Sequence, residues 1–380
     1  MGSKGMDRRN EVKSRKRAER SSTGAPVTLK TVALRARVTP GTVSAVLNNS
    51  AASRSFPQET KERILAAARE LSYRPNFLAR SLRVKRTFMI GVIAEEIGDP
   101  YGALVISGIE QFLRQSGYFF LVVAHRHDAR LLENYSQLLL QRGVEGLITV
   151  DTSIGQPPPL PTVAIAGHRR VKGVTNVVLD HRAAARMALK HLRGLGHQQI
   201  AFMKGPAFSS DSEDRWKAIL EVSRTLDLRV QPELTVRLEG DPTPDMGYSF
   251  ANQLLSRKEP FSALFAYNDN SAIGAIRAIH EAGLHVPQDV SVVGFDDVPG
   301  AAFSNPGLTT VRQPLQKMGE IAARILLDRI GKRETFLPEV TIEPEFVVRG
   351  STARASAGGT RGDLTVARQS AGSSLVPMSS

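Results

Sequence analysis

The chain has 380 residues, 41% of them hydrophobic, with no cysteine and a net charge of +13. Without cysteine there is no disulfide framework, no thiolate zinc site and no cysteine nucleophile, which suits a reducing, cytoplasmic setting. The opening "MGSKGMDRRNEVKSRKRAERSS" lacks the apolar core of a secretory signal, and no run of about 18 apolar residues suits a membrane span, so no membrane partner is expected.

The charge is unevenly placed. Residues 1–86 hold 20 Lys and Arg against 6 Asp and Glu, a net of +14, whereas the remainder holds 30 against 31. A basic end on a neutral body implies a polyanion-binding head attached to something with another task. Residues 1–26 read as a basic, disordered arm. They are equally compatible with a solvated tail that has no partner.

The first patterned stretch is "PVTLKTVALRARVTPGTVSAVLNN". Thr28 suits an N-cap, and Leu29, Val32 and Ala33 follow at helical spacing. The pattern breaks near Arg37. Thr39 then suits a second N-cap with Pro40 at the first helical position, where a missing N–H costs nothing. Val43, Val46 and Leu47 form the apolar face of this second helix; Thr42, Ser44, Ala45 and Asn48 lie off it. A third helix in "PQETKERILAAARELSY" has its stripe at Ile64, Leu65, Ala68 and Leu71. Three short helices over residues 27–74 resemble a helix-turn-helix head, a motif that lays its second helix in the DNA major groove; the alternative is a small three-helix core without DNA. "YRPNFLARSLRVKRT" follows, with a segment of about two turns that is basic yet carries Leu78 and Leu82. Residues 75–87 read as a hinge helix, and an exposed leucine there suits a wedge between base steps.

From Phe88 onward, strand-like and helix-like segments alternate. The strand candidates are "FMIGVIAEE", "YFFLVVAH", "GLITVD", "TVAIAGH", "NVVLD", "QIAFMKG", "TVRLEG", "ALFAYND", "VSVVGFDD" and "LTTVRQ". Apolar strands separated by helices imply parallel sheets covered on both faces, and ten strands suit two sheets better than one. Ligands in such folds sit at the carboxyl ends of strands. Asp151, His168, Asn268, Asp269, Asp296 and Asp297 gather there, and Arg215 follows "GPAFSSDSED". Asp269 reads as a helix cap. His125 and His127 read as a surface pair. The sequence holds no G-x-G-x-x-G after a strand, no phosphate-binding loop, no H-E-x-x-H and no G-x-S-x-G elbow, so no catalytic residue, metal or cofactor is expected. "STARASAGGTRGDLTVARQSAGSSLVPMSS", 351–380, reads as a disordered tail.

"VTLKTVALRARVTPGTVSAVLNN", "LSYRPNFLARSL", "HLRGLGHQQIAF", "YNDNSAIGAIRAI", "VSVVGFDD" and "LTTVRQP" together resemble the lactose-repressor family of bacterial transcription regulators, from about Val27 to Gly350. The resemblance implies an α/β fold: the three-helix head and hinge helix, then a two-lobed, periplasmic-binding-protein-like body over 88–350 with two parallel sheets. The N-lobe would span about 88–179 and 314–335, and the C-lobe about 180–313 and 336–350. It implies a homodimer that binds a pseudo-palindromic double-stranded operator, is more often a repressor, associates with the nucleoid when bound, and answers to a small-molecule effector between the lobes. The alternative from another class is a solute-binding protein without a DNA role.

Carried over by position, Pro40, Gly41 and Ala45 take the base-reading places, and Thr28, Thr39, Thr42, Ser44 and Asn48 contact phosphates or base edges. Tyr73, Asn76, Arg80 and Arg83 belong to the same DNA-binding set. Ala79 lets two hinge helices approach across the dimer, and Leu82 is the wedge. Arg215, Asn268, Asp296 and Gln313 take effector-contacting positions, and Tyr101 and Leu179 take cleft-wall positions; Asp151 joins the effector set through its strand-end place alone. Pro242 stands where relatives often place a stacking aromatic. Three departures follow. Ala45 replaces a bidentate reader, so readout leans on thymine methyls and DNA shape. Arg37 replaces the usual turn glycine, or its neighbour differs. The loop "NNSAASRSFPQET" is about three residues longer than in close relatives.

Overall fold

The computed structural model describes residues 27–356 except 49, 75–80, 82, 83, 153, 157, 168, 258 and 333–335. The chain divides into two units, Met1–Arg86 and Thr87–Ser380.

The first unit contains α1 (Leu29–Ala36), α2 (Pro40–Leu47), a 3₁₀ turn at Ala51–Ser55 and α3 (Gln58–Glu70). Thr28 and Thr31 cap α1 reciprocally, the Thr31 N–H donating to Thr28 Oγ1 at 3.3 Å and the Thr28 N–H to Thr31 Oγ1 at 3.2 Å. The helix stops because Arg37 adopts the left-handed conformation, φ 51° and ψ 48°, the geometry a glycine gives at less cost. Thr39 caps α2 through the Thr42 N–H at 3.2 Å, with Pro40 in the first turn. Val32, Ala33, Ala36, Val43, Ile64, Ala67 and Ala68 form a small core, on which Leu71 and Tyr73 pack. Leu65, placed on the apolar stripe by the sequence reading, is exposed; Ala67 takes its place, because the stripe is narrower where α3 crosses two short helices.

The second unit holds two six-stranded sheets. In the first, β1 (Met89–Ala94), β2 (Phe119–Ala124), β3 (Gly146–Val150), β4 (Thr162–Ile165), β5 (Val174–Leu179) and β11 (Glu339–Ile342) pair in the order β11-β5-β4-β3-β1-β2. In the second, β6 (Ile200–Lys204), β7 (Thr235–Arg237), β8 (Ala263–Phe265), β9 (Ser291–Asp296), β10 (Thr309–Arg312) and β12 (Glu345–Val347) pair in the order β12-β10-β9-β8-β6-β7. All pairings are parallel except β10 with β12. Helices α4 (Pro100–Gln115), α5 (Ala129–Gln141) and α11 (Leu315–Ile330) cover the first sheet. Helices α6 (His181–Gly194), α7 (Ser210–Thr225), α8 (Pro244–Ser256), α9 (Asp269–Glu281) and the short α10 (Pro299–Phe303) cover the second. Strands such as Gly146–Val150 and Ser291–Asp296 are buried throughout, as strands covered by helices on both faces must be.

The chain crosses between lobes after β5, after β10 and between β11 and β12. This corrects the lobe boundaries. Residues 336–350 do not belong wholly to the C-lobe, since β11 pairs with β5 in register Val340 to Val177. Nor does a loose tail begin at 351. Ser351 is buried, its Oγ donates to Val292 O at 2.6 Å, and the Ala353 N–H donates to Ser291 Oγ at 3.0 Å. Residues 357–380 and the basic arm 1–26 lie outside the described residues. Among the described residues no helix is long and apolar enough to cross a membrane.

Candidate functional site

In the head, the tip of α2 is the exposed feature. Thr39, Pro40 and Gly41 are exposed, and Thr42 and Ala45 are partly so. Thr39 and Thr42 share a hydroxyl contact of 2.9 Å, leaving both oxygens at the surface with further bonding capacity. A Cβ on Gly41 would meet only Thr39 Oγ1, at 3.7 Å, so the head itself does not demand glycine there. Ser44 and Asn48 differ from the sequence reading. Ser44 is buried, and the Asn48 amide donates to Ser44 O at 2.7 Å and lies 3.3 Å from Ser44 Oγ, so the pair closes the C-terminal turn of α2. Ser44 faces the core because it follows Val43 on the side α3 covers. Thr28 is spent on its capping box, though exposed, and Tyr73 packs on the core. Asn76, Ala79, Arg80, Leu82 and Arg83 lie outside the described residues.

In the body, a cleft of about 260 Å³ opens between the lobes at the carboxyl ends of the strands. Tyr101, Asp151, Arg215, Pro242, Asn268 and Asp296 line it, as the sequence reading placed them. Leu179 does not; it is the last residue of β5 and is buried among Ala184, Ala188 and Phe295 where the chain first crosses over. Gln313, on the second crossing, reaches the cleft only through Asp296, to which its Nε2 donates at 2.6 Å.

Asn268 caps α9, its Oδ1 accepting from the Ser271 N–H at 2.9 Å while its Nδ2 donates to Pro242 O at 3.2 Å. Asp269 is therefore not the cap. It is fully buried, accepting from the Val298 N–H at 2.8 Å and Thr310 Oγ1 at 2.6 Å, and burial pushes its carboxyl up to about 7. Asp297 pairs with Arg312 and Arg349, both at 2.7 Å, and holds the sheet edge rather than the cleft. His168 lies outside the described residues.

Arg215 is the centre of the C-lobe wall. It pairs with Asp211, and its Nη1 donates to Tyr267 O at 2.6 Å. The guanidinium lies 3.7 Å from the Phe295 ring centroid and 4.6 Å from that of Tyr267. His181 Nε2 approaches the other Asp211 oxygen at 2.9 Å. Burial works against the Arg215 charge, but Asp211 beside it holds the pKa raised. Arg215 Nε is buried without a protein partner. Burial likewise pushes the Asp296 carboxyl well up, with Arg215 opposing. Asp151 and Asp296 carry positive φ, 44° and 109°, and strain of this kind in non-glycine residues clusters at functional sites.

Several lining residues escaped the sequence reading: Glu95, Asp99, Ser209, Asp211, Asp241 and Tyr267. Glu95 directly follows β1, so the strand-end rule reached it in principle. Asp211 sits one helical turn before Arg215, the i to i+4 spacing of an ion pair. His125 and His127 are not a surface pair. His125 is buried, its Nε2 lies 3.1 Å from Thr152 Oγ1, and burial lowers its pKa. His127 bridges the lobes: Nδ1 is 2.9 Å from Glu95 Oε1 and Nε2 is 2.8 Å from Asp241 Oδ1. Donor atoms of these three residues lie within 4.8 Å of one another. Since each carboxylate takes one imidazole nitrogen, the trio reads as a hydrogen-bonded bridge rather than a metal centre.

Burial, then Asp151 beside it, pushes the Glu95 carboxyl from 4.5 to about 9. The folded protein thus binds this proton more tightly than the unfolded chain, and stability falls as pH rises from 4.5 to 9. Glu95→Gln, which keeps the shape without the ionisation, should raise Tm by about 3 °C or more at pH 8.5 and by little near pH 4.5. Thermal unfolding at both pH values checks this. An equal shift at both would remove Glu95 as the cause.

The comparisons with known proteins follow this geometry. The model for the lacI family of bacterial regulatory proteins matches residues 28–76, and the periplasmic binding protein-like domain matches 189–352. The HTH-type transcriptional repressor PurR of Pectobacterium carotovorum is 33% identical, covering 86% of this chain and 97% of its own length. PurR of Haemophilus influenzae is 32% identical over 85% of this chain and 98% of its own length. The lac repressor dimer bound to operator and the anti-inducer ONPF superposes with a TM-score of 0.76 at 27% identity, covering 87% of this chain and all of that one. A transcriptional regulator CelR–cellobiose complex superposes at 0.63 with 28% identity over 86% of this chain and 99% of that one. With a head and a body each matched in order, and relatives at this identity over nearly their whole length, the chain belongs to the lacI family of bacterial regulatory proteins.

Proposed function

We propose that this protein is a homodimeric transcriptional repressor that binds a pseudo-palindromic operator and is controlled by a small molecule held between its lobes. The observation that carries this reading is the joining, in one chain, of a basic helix-turn-helix head to a two-lobed body with a polar interlobe cleft. Relatives named as repressors support it, as do neighbours solved as an operator-bound dimer and as a cellobiose complex. A solute-binding protein without a DNA role has no use for the head matched at 28–76. No enzyme activity is assigned, since repressor relatives are not catalysts. A repressor works where its DNA is, in the cytoplasm and on the nucleoid.

Thr39, Pro40, Gly41, Thr42 and Ala45 form the base-facing tip. With no bidentate reader there, discrimination rests on hydroxyls, methyl contacts and DNA deformability. Effector closing the lobes shifts the equilibrium between dimer states that favour or disfavour the folded hinge, and the coupling is reciprocal. Selection from random duplex DNA at fixed, near-physiological salt tests the reading. The expected result is an enriched pseudo-palindrome with a flexible central step. Enrichment of no sequence, with and without a metabolite pool, would overturn it.

A further inference from the structure

At the rim of the interlobe cleft the two lobes are joined by the protein's own side chains. His127 stands on the N-lobe between β2 and α5. Its Nδ1 is held by Glu95, which follows β1 on the same lobe, while Nε2 reaches Asp241, which follows β7 on the C-lobe. The ring also meets Phe208 of the C-lobe, with centroids 3.9 Å apart and planes tilted by 46°. The side chains of His127 and Asp241 are 33% and 63% exposed, which places the contact at the rim. Deeper in, Glu95 is hydrogen-bonded to Asp151, and Asp151 accepts from Ser209 of the C-lobe at 3.4 Å. One run of side chains thus crosses from lobe to lobe at both ends. The loop that carries His127 is fixed on every side. Arg126 and His127 are consecutive non-glycine residues at positive φ, 47° and 62°, a strain that persists only where the surroundings over-determine it. The Arg126 N–H donates to Glu95 O at 3.0 Å, Arg126 Nε pairs with Glu96 at 3.3 Å, and Asp128 caps α5 by accepting from the Arg130 N–H at 2.8 Å.

The geometry points to His127 as a clasp, a positioning residue whose hydrogen bond to Asp241 holds the lobes in their closed arrangement. A carboxylate oxygen only accepts, so Nε2 carries the hydrogen that crosses to the C-lobe. Which imidazole nitrogen donates is set by what the other one meets, and here Glu95 holds Nδ1 from behind and aims Nε2 at Asp241. The bond is short, 2.8 Å, and the ring that makes it is seated against Phe208 of the opposite lobe. An exposed contact of this kind adds little to folding. Its effect falls on a finer balance, the one between closed and open lobes, where a small bias changes the populations several-fold. The clasp therefore sets how far the protein closes on its own, and an effector supplies only the remainder. The clasp stands on the geometry alone; its link to operator binding rests on the effector reading above.

The test is the distance between the lobes, read by pulsed electron paramagnetic resonance on the full-length protein. The chain has no cysteine, so Glu133→Cys on α5 and Gln253→Cys on α8, both exposed, give one nitroxide on each lobe. Diluting the labelled chain with unlabelled chain restricts the reading to distances within one protomer. Three variants are compared with the parent. His127→Phe keeps the ring on Phe208 and loses both nitrogens, Asp241→Ala removes the acceptor, and His127→Gln restores a donor near the place of Nε2. The first two should each raise the ratio of long to short distances about fivefold or more, and glutamine should return it to within about twofold of the parent. Thermal midpoints should stay within about 2 °C, because both side chains are at the surface. An unchanged ratio in either His127→Phe or Asp241→Ala would overturn the clasp, and closure kept by phenylalanine would assign the holding contact to Phe208 instead. Operator affinity, measured on the same variants, separates the two readings. If the lobes open and operator affinity shifts, both stand. If they open and operator affinity holds within twofold, the clasp stands and the control of DNA binding by lobe closure fails.

Discussion

Arg215→Ala is expected to abolish the response to effector and to destabilise the C-lobe, while leaving operator binding in place. The residue is 5% exposed, and its guanidinium sits against two aromatic rings. Its removal leaves Asp211 buried without its cation, and breaking a buried pair by deleting one partner costs about 3–5 kcal/mol. Since Asp211 also faces His181, loss of Arg215 disturbs both the α7 wall and the start of α6. Asp296 loses the positive charge that opposes its protonation. The head belongs to a separate compact unit, so none of these contacts lies within it. Operator binding with and without effector, followed by anisotropy, and thermal unfolding check both parts. Arg215→Lys separates them: it keeps a charge near Asp211 but lacks the planar fork that reaches Asp211 and Tyr267 O together. Lysine should recover part of the stability and little of the response. An alanine variant that still responds normally would remove Arg215 from the effector site.

The parts of the molecule that could be read in advance are those where one local signal had one meaning. Each of the ten strand segments named from apolar runs contains a strand, because strands buried on both faces carry few polar residues. The two that escaped, Glu339–Ile342 and Glu345–Val347, are short edge strands with exposed glutamates, so no apolar run marks them. Their absence from the reading is also why the lobe boundary at 336 was misplaced. Caps were legible at Thr28 and Thr39, where threonine precedes an apolar helical pattern. Asn268 and Asp269 were harder. Both are capping residue types, and only the tertiary bonds to Val298 and Thr310 decide that Asp269 serves the core. The cleft was legible through strand ends and missed where pairing decides the role. His127 looks isolated in the chain, yet it meets Asp241, 114 residues away, because two lobes fold their strand ends toward each other. Arg37 shows a local rule overridden, since a non-glycine residue takes the left-handed turn that the three-helix core imposes.

Leu82→Ala is expected to weaken specific operator binding by about 30-fold while leaving non-specific DNA binding within about threefold. Leu82 lies outside the described residues, so the expectation rests on the sequence "PNFLARSL" and on the family to which the chain belongs. A helix of about two turns is marginal alone, because nucleation is unfavourable and few bonds follow it. It must gain its stability from what it meets, and a leucine at a base step gains by leaving water. Truncation to alanine forfeits about 2 kcal/mol of that burial, which converts to about 30-fold in affinity. Non-specific binding has a different source. It comes from Lys and Arg on phosphates, and a neutral substitution changes neither their number nor the salt slope they produce. Titrating operator and scrambled duplex at several salt concentrations therefore distinguishes the two. The operator constant should fall at every salt with its slope unchanged, and the scrambled duplex should hardly move. Equal losses on both duplexes would place Leu82 in the protein's own packing and take it out of the DNA.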